Sequence, residues 1–131
     1  IDGFIAQRRE NALYWLDELK KFDEYFILPK TTQGGTHVWH HFPLTVRPEA
    51  PFNRNQIMDF LEKNGIETRP ISSGNITEQP AMEHVEIRKV GPLSNAKLIL
   101  RNSFEWGNHQ LIGEKERSYV SDIIKTFISK F

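Results

Sequence analysis

The sequence predicts an α/β domain: a two-layer sandwich in which a small three-stranded sheet carries helices on one face. Three observations predict it. The stretch "HVWHHFPLTV" (37–46) alternates between apolar and polar positions, as a half-buried strand does. "NRNQIMDFLEKNG" (53–65) is a helix with both ends marked. Val120, Ile123, Ile124, Phe127, Ile128 and Phe131 recur at spacings of three and four, the stripe of an amphipathic helix.

The first element is helical. Ile5, Ala12, Leu16 and Leu19 fall on one face, with Leu13 and Phe22 at its edges, and the pattern runs to about Glu24. No N-cap residue precedes it and Ile1 stands where an initiator Met would. This start predicts a piece of a longer protein opened inside a helix; processing or tag removal is the other way to expose Ile1. "LPKTTQGGTH" then reads as a loop. In the strand that follows, Val38, His40, Phe42, Leu44 and Val46 share one face and His37, Trp39, His41 and Thr45 the other. Pro43 cannot donate to a ladder, which predicts an edge position or a bulge.

Asn53 and Gln56 have capping-box spacing, Phe52 and Ile57 are placed for a hydrophobic staple, and Gly65 is a left-handed stop closed by Leu61 and Ile66. "IETRPI" is a short strand; with Ile66 and Thr68 facing the helix, Glu67, Arg69 and Ile71 face away. A long loop follows, in which Val85, Ile87 and Val90 suggest a weak extended piece. Pro92 suits the first turn of a helix whose packing face is Leu93, Ala96, Ile99 and Leu100. "SFEW" is the third strand, and the last helix spans about Glu114 to Lys130.

The totals narrow the function. The 131 residues fit one domain with its own core. The 17 basic and 17 acidic residues cancel, so no basic excess points to nucleic acid or a membrane surface. There is no cysteine, which removes disulfides, thiolate metal sites and a cysteine nucleophile. No apolar run approaches the roughly 20 residues of a membrane span. A cytoplasmic setting is expected.

Chemistry-bearing residues are few. His40 and His41 are adjacent in a strand and point to opposite faces, so they do not share a metal, and no carboxylate stands at ligand spacing; no metal is expected. No nucleophile-elbow motif surrounds Ser72 and Ser73. In "RPISSGNITEQP" (69–80), Arg69 has its backbone fixed by a strand and by Pro70. Its guanidinium suits a phosphate or carboxylate ligand, or else a surface ion pair with Glu67 or Glu78. "WGNHQ" (106–110) is a second polar knot, either a site or an ordinary strand-to-helix turn.

Taken together, these segments resemble the C-terminal small domain of the DegT/DnrJ-type sugar aminotransferase/dehydratase family. The resemblance covers nearly the whole chain. It runs from "GFIAQRREN", like the end of a long inter-domain helix, through "HVWHHFPLTV" and "NRNQIMDFLEKNGIETRPI". The loop "SSGNITEQPA" and the segment "VGPLSNAKLILRNSFEWGNHQ" are similar to the branch of nucleotide-sugar 3-dehydratases that make 3-deoxy and 3,6-dideoxy sugars for lipopolysaccharide. The features that separate CDP- from GDP-sugar members point both ways.

The resemblance implies the small domain of a fold-type I pyridoxal-phosphate enzyme. Residues 1–25 end the inter-domain helix, residues 26–131 form the small domain, and the large cofactor-binding domain lies outside the chain. It implies pyridoxal or pyridoxamine phosphate bound mainly by that large domain, a nucleotide-linked 4-keto-6-deoxyhexose as substrate, and a homodimer. It also implies a histidine, outside this stretch, in place of the Schiff-base lysine, so no catalytic residue is expected here and none of the cofactor is expected on this chain alone. Arg69 and Asn75, with Gly74 shaping the turn between them, and less directly Asn108 and His109, are the substrate-binding positions it implies. A sugar aminotransferase of the same family and a free-standing α/β interaction module are the alternative readings.

Overall fold

The computed structural model describes all 131 residues. In chain order its elements are helix α1 (Asp2–Leu19), strands β1 (Phe26–Ile27) and β2 (His41–Val46), helix α2 (Arg54–Lys63), strand β3 (Thr68–Pro70), helix α3 (Ser94–Asn102), strand β4 (Ser103–Gly107) and helix α4 (Glu114–Ile128). The strands form one antiparallel sheet in the order β1-β2-β4-β3. The α/β class and the single helical layer are as the sequence predicts. The strand count rises from three to four, because Phe26 and Ile27 pair with Val46 and Thr45. Two residues are too few to show a period, so nothing local announces β1.

The register of β2 on β4 sets Phe42 opposite Trp106 and Leu44 opposite Phe104. These four side chains and Val46 are buried. On them sit Ala12, Trp15 and Leu19 of α1, Ile57 and Leu61 of α2, and Val120, Ile124, Phe127 and Ile128 of α4, making one core. Trp15 is its keystone. It meets the Phe42 and Trp106 rings edge-on at 5.3 and 5.4 Å, and its indole N–H donates to the Arg117 carbonyl at 3.0 Å.

Helix α2 follows its sequence signals closely. Asn53 accepts from the Gln56 N–H (3.1 Å) while the Gln56 side chain accepts from the Asn53 N–H (2.8 Å). Gly65, at φ +75°, ends it in a Schellman motif: Gly65 N–H to the Glu62 carbonyl and Ile66 N–H to the Leu61 carbonyl, both 3.0 Å. Pro43 lies in β2, but β1 reaches only Thr45 and Val46, so beside Pro43 the strand has no neighbour on that side. The free edge of β3 is closed as well. The Thr68 N–H donates to the Glu62 carboxylate at 2.5 Å and Pro70 has no N–H to offer, which protects an otherwise open template for strand addition.

Four local expectations are corrected. The strand expected over 37–46 begins at His41, because Trp39 takes a left-handed conformation (φ 57°). That turn carries the Trp39 ring into the core against Phe42 at 5.9 Å, rather than onto the outer face, and leaves Val38 and His40 exposed. In α1 the buried set is Asn11, Ala12, Trp15 and Leu19; Leu13 is exposed and Ile5 and Leu16 are half-buried. The α-helix stops at Leu19 and tightens to a 3₁₀ turn over Lys20–Phe22, so that the chain can turn into β1. In α3 no residue is buried, Leu93 precedes the helix with φ 52°, and Ile99 is exposed. Val85 and Val90 lie exposed outside any strand.

The 71–80 loop is held by its own side chains and by α3. Asn75 accepts from the Thr77 N–H (3.2 Å) and hydroxyl (2.9 Å) and donates to Glu78 (3.0 Å), while Gln79 donates to the Ser73 carbonyl (3.0 Å). Gly74, at φ +43°, lies so close to α3 that a Cβ there would stand 2.7 Å from the Leu100 Cα.

Two outcomes follow from these contacts. Gly74→Ala is expected to destabilise the chain by roughly 1–3 kcal/mol, through strain at positive φ and the clash with α3; a denaturation midpoint equal to that of the parent would contradict it. Glu62 carries a pH dependence. Its carboxyl is held below the ordinary 4.5, first by the Thr68 N–H and then by the Thr68 hydroxyl. The contact therefore stabilises fully above the unfolded value and is lost as the pH falls through the lowered folded value. Glu62→Gln is expected to flatten that acid-side loss in urea titrations between about pH 3 and pH 6, and parallel curves for the two proteins would contradict the assignment.

Candidate functional site

A concavity of about 650 Å³ lies where β3 and β4 meet the start of α4. This volume suits a small-molecule ligand. Its apolar wall is Ile66, Trp106, Ile112 and Val120, with the Tyr119 ring alongside. Its polar side is His41, Glu67, Arg69, Glu105, Lys115 and Glu116. The sheet places them: Arg69 pairs with Glu105 across β3 and β4, and His41 with Gly107 across β2 and β4, so all three side chains share the face opposite the core.

The charges are mostly spent on one another. The Arg69 Nε and Nη2 both donate to Glu67 Oε1, at 3.1 and 2.7 Å, which holds the guanidinium still more firmly protonated. Both partners are largely exposed, so the pair adds little stability. Glu78, the other partner the sequence offers, faces Arg101 at 3.6 Å. His41 Nδ1 lies 3.5 Å from the half-buried Glu105. Glu116 accepts from the Gly113 N–H at 2.9 Å, and its carboxyl is held below the ordinary value by its own backbone N–H and then by that of Gly113.

The site residues expected from sequence are divided by the antiparallel sheet. β3 and β4 run in opposite directions, so the loop with Gly74 and Asn75 and the turn with Asn108 and His109 leave the sheet at opposite ends. Arg69 lines the cleft. Gly74 packs on α3, and Asn75 is buried with its amide engaged inside the loop. Asn108 is buried and donates to the carbonyls of Arg8 (2.8 Å) and Trp39 (2.9 Å). His109 is exposed, and its Nδ1 accepts from the Leu111 N–H at 3.2 Å. Sequence reasoning missed His41, Glu105 and Tyr119 as cleft residues. The "SFEW" motif does place Glu105 on the polar face, but only the register brings it to His41 and Arg69.

These residues do not fit a pyridoxal-phosphate site. Three carboxylates face two cations around the cleft, so it offers no surplus of donors to a phosphate. No lysine is buried, and the half-buried Lys125 is committed to Glu18 (2.7 Å) and Asp122 (3.1 Å) on the far side of α4. No group of three His, Asp or Glu side chains converges on a metal position, and no helix is long and apolar enough to cross a membrane.

Comparison with known proteins sets this architecture in a lineage. The Salmonella typhimurium lipopolysaccharide biosynthesis protein RfbH is 29% identical over 127 residues, covering 97% of this chain and 29% of that protein. The dTDP-4-dehydro-2,6-dideoxy-D-glucose 3-dehydratase of Saccharopolyspora spinosa is 33% identical over 130 residues, covering 99% of this chain and 28% of that enzyme. Among solved structures, GDP-4-keto-6-deoxymannose-3-dehydratase with a trapped PLP-glutamate geminal diamine superposes with a TM-score of 0.82 at 28% identity, over 94% of this chain and 31% of that one. The chain thus spans about three tenths of the length of the relatives it matches. The family model for DegT/DnrJ/EryC1/StrS aminotransferases matches residues 1–125, and the chain belongs to that family.

Proposed function

We propose that this chain is the small-domain portion of a pyridoxal-phosphate-dependent nucleotide-sugar 3-dehydratase making 3-deoxy or 3,6-dideoxy sugars for lipopolysaccharide. One observation carries the reading: relatives named as 3-dehydratases align over almost the entire chain, and one of them shares its backbone at a TM-score of 0.82. In this reading residues 1–25 end the helix that joins the two domains. Pyridoxal or pyridoxamine phosphate is held by the large domain, which the donor-poor cleft described above supports. The substrate is a nucleotide-linked 4-keto-6-deoxyhexose, and the enzyme is a cytoplasmic homodimer.

Within that enzyme the chain supplies binding and shape rather than proton transfer. Arg69 is exposed beside the cleft and held only by a solvent-accessible ion pair, so it exchanges Glu67 for the anionic part of the substrate. Gly74 and Asn75 fix the loop that follows β3, and Asn108 and His109 form the turn after β4; these four complete the proposed binding surface by shaping its two ends. The second reading, a sugar aminotransferase, is favoured by the family model's own description.

The product separates the two. The longer enzyme, given a nucleotide-linked 4-keto-6-deoxyhexose, is expected to yield a sugar lacking its 3-hydroxyl; an amino sugar identified by mass spectrometry would favour transamination. In the same enzyme Arg69→Ala is expected to lower kcat/KM about tenfold or more, with an unchanged melting temperature. An unaltered rate would remove Arg69 from the site. The 131-residue chain mixed with pyridoxal phosphate is expected to keep no Schiff-base absorbance after dialysis, whereas a stoichiometric band that persists would show a competent lysine within it.

A further inference from the structure

Helix α1 is docked along only part of its length. No residue before Asn11 is buried, while Asn11, Ala12, Trp15 and Leu19 are. The helix is exposed over its first turn, Asp2–Phe4, is half-buried at Ile5, Gln7 and Arg8, and enters the core at Asn11. At that point a polar network takes the place of apolar packing. The Asn11 amide donates to Asn108 Oδ1 (3.2 Å) and to the Ile112 carbonyl (3.1 Å), and its oxygen accepts from Gln7 (3.1 Å). The Asn108 amide donates to the carbonyls of Arg8 (2.8 Å) and Trp39 (2.9 Å). Every N–H of the two buried amides is used, and both oxygens accept.

The network has a directional consequence. It joins α1 to three separate segments: the residue two before β2, the residue after β4 and the approach to α4. Around it, Arg8 donates to Gln110 (3.2 Å), Arg9 to the His37 carbonyl (3.0 Å), and Arg117 pairs with Glu10 at 2.6 Å. Apolar contacts tolerate sliding and rotation at small cost, but a saturated buried amide pair has one low-energy arrangement, and any tilt strands a donor. We propose that the Asn11–Asn108 pair is a positioning joint that sets the angle at which α1 leaves the domain. This is separate from the dehydratase reading, since the angle is a property of this chain alone.

The absence of cysteine allows a direct test. Spin labels placed by Phe4→Cys, on the exposed first turn of α1, and Lys63→Cys, at the exposed end of α2, report the angle as a pulsed-EPR distance distribution. The labelled parent is expected to give one narrow distribution. Asn11→Leu with Asn108→Leu removes both amides of the pair together and keeps the site filled, at the cost of the bonds to the Arg8, Trp39 and Ile112 carbonyls; the distribution is expected to broaden about twofold or to shift its maximum. Asn108→Asp, which keeps the shape and loses both donated bonds, is expected to do the same and serves if the double variant fails to fold. Ile57→Val, a core change away from the joint, is expected to lower stability and leave the distribution unchanged. Overturning the proposal takes either of two results: parental distributions in a folded variant of the amide pair, or equal broadening in Ile57→Val.

Discussion

The pairing of Phe42 with Trp106 and of Leu44 with Phe104 across two antiparallel strands is the constraint on which the rest of the molecule depends. It builds one apolar sheet face that must be covered. Three helices cover it, and Trp15 closes the centre with two edge-on ring contacts and one hydrogen bond. Because side chains alternate along a strand, the same register assembles the opposite face from the alternate residues. His41, Glu105 and Arg69 are neighbours on the outer face because Phe42, Trp106 and Thr68 are neighbours on the inner one. Core and cleft are thus two consequences of one register.

The polar loops are built for shape. Asn75 and Asn108 are both buried; Asn75 spends its amide inside its own loop, and Asn108 spends its amide on the carbonyls of Arg8 and Trp39. Gly74 is small because α3 leaves no room for a Cβ. The stiffness of "RPISSGNITEQP" therefore comes from internal hydrogen bonds and from contact with α3. Arg69 differs in being exposed, charged and held only by another exposed side chain. The cleft's carboxylates outnumber its cations, so it suits the role of one wall better than that of a complete phosphate site. This agrees with a chain covering about three tenths of the relatives it matches.

Legibility in the sequence followed the range of the interactions. The capping box of Asn53 and Gln56, the Gly65 stop and the α4 stripe are set by residues three or four apart, and they appear in the structure as expected, except that α4 ends at Ile128 and Phe131 lies exposed beyond it. The inward set Phe42, Leu44 and Val46 was readable for the same reason. Trp39 was misplaced because alternation assumes that a strand continues, and a left-handed residue interrupts it. Asn11 was overlooked because an amide counts as polar until its partners, about a hundred positions away, are known.

By itself, then, the sequence determined the helices, the inward-facing residues of the two main strands, the α/β class and the family, since each rests on local chemistry or on motifs. Tertiary structure alone decided that Phe26–Ile27 is a strand, that Arg69 meets Glu105 and His41 at a cleft, that the two polar loops leave opposite ends of the sheet, and that two asparagines lock α1 in place. These depend on register and on long-range pairing. Such choices are made by the whole core together, through hydrogen bonds and burial that no short segment contains.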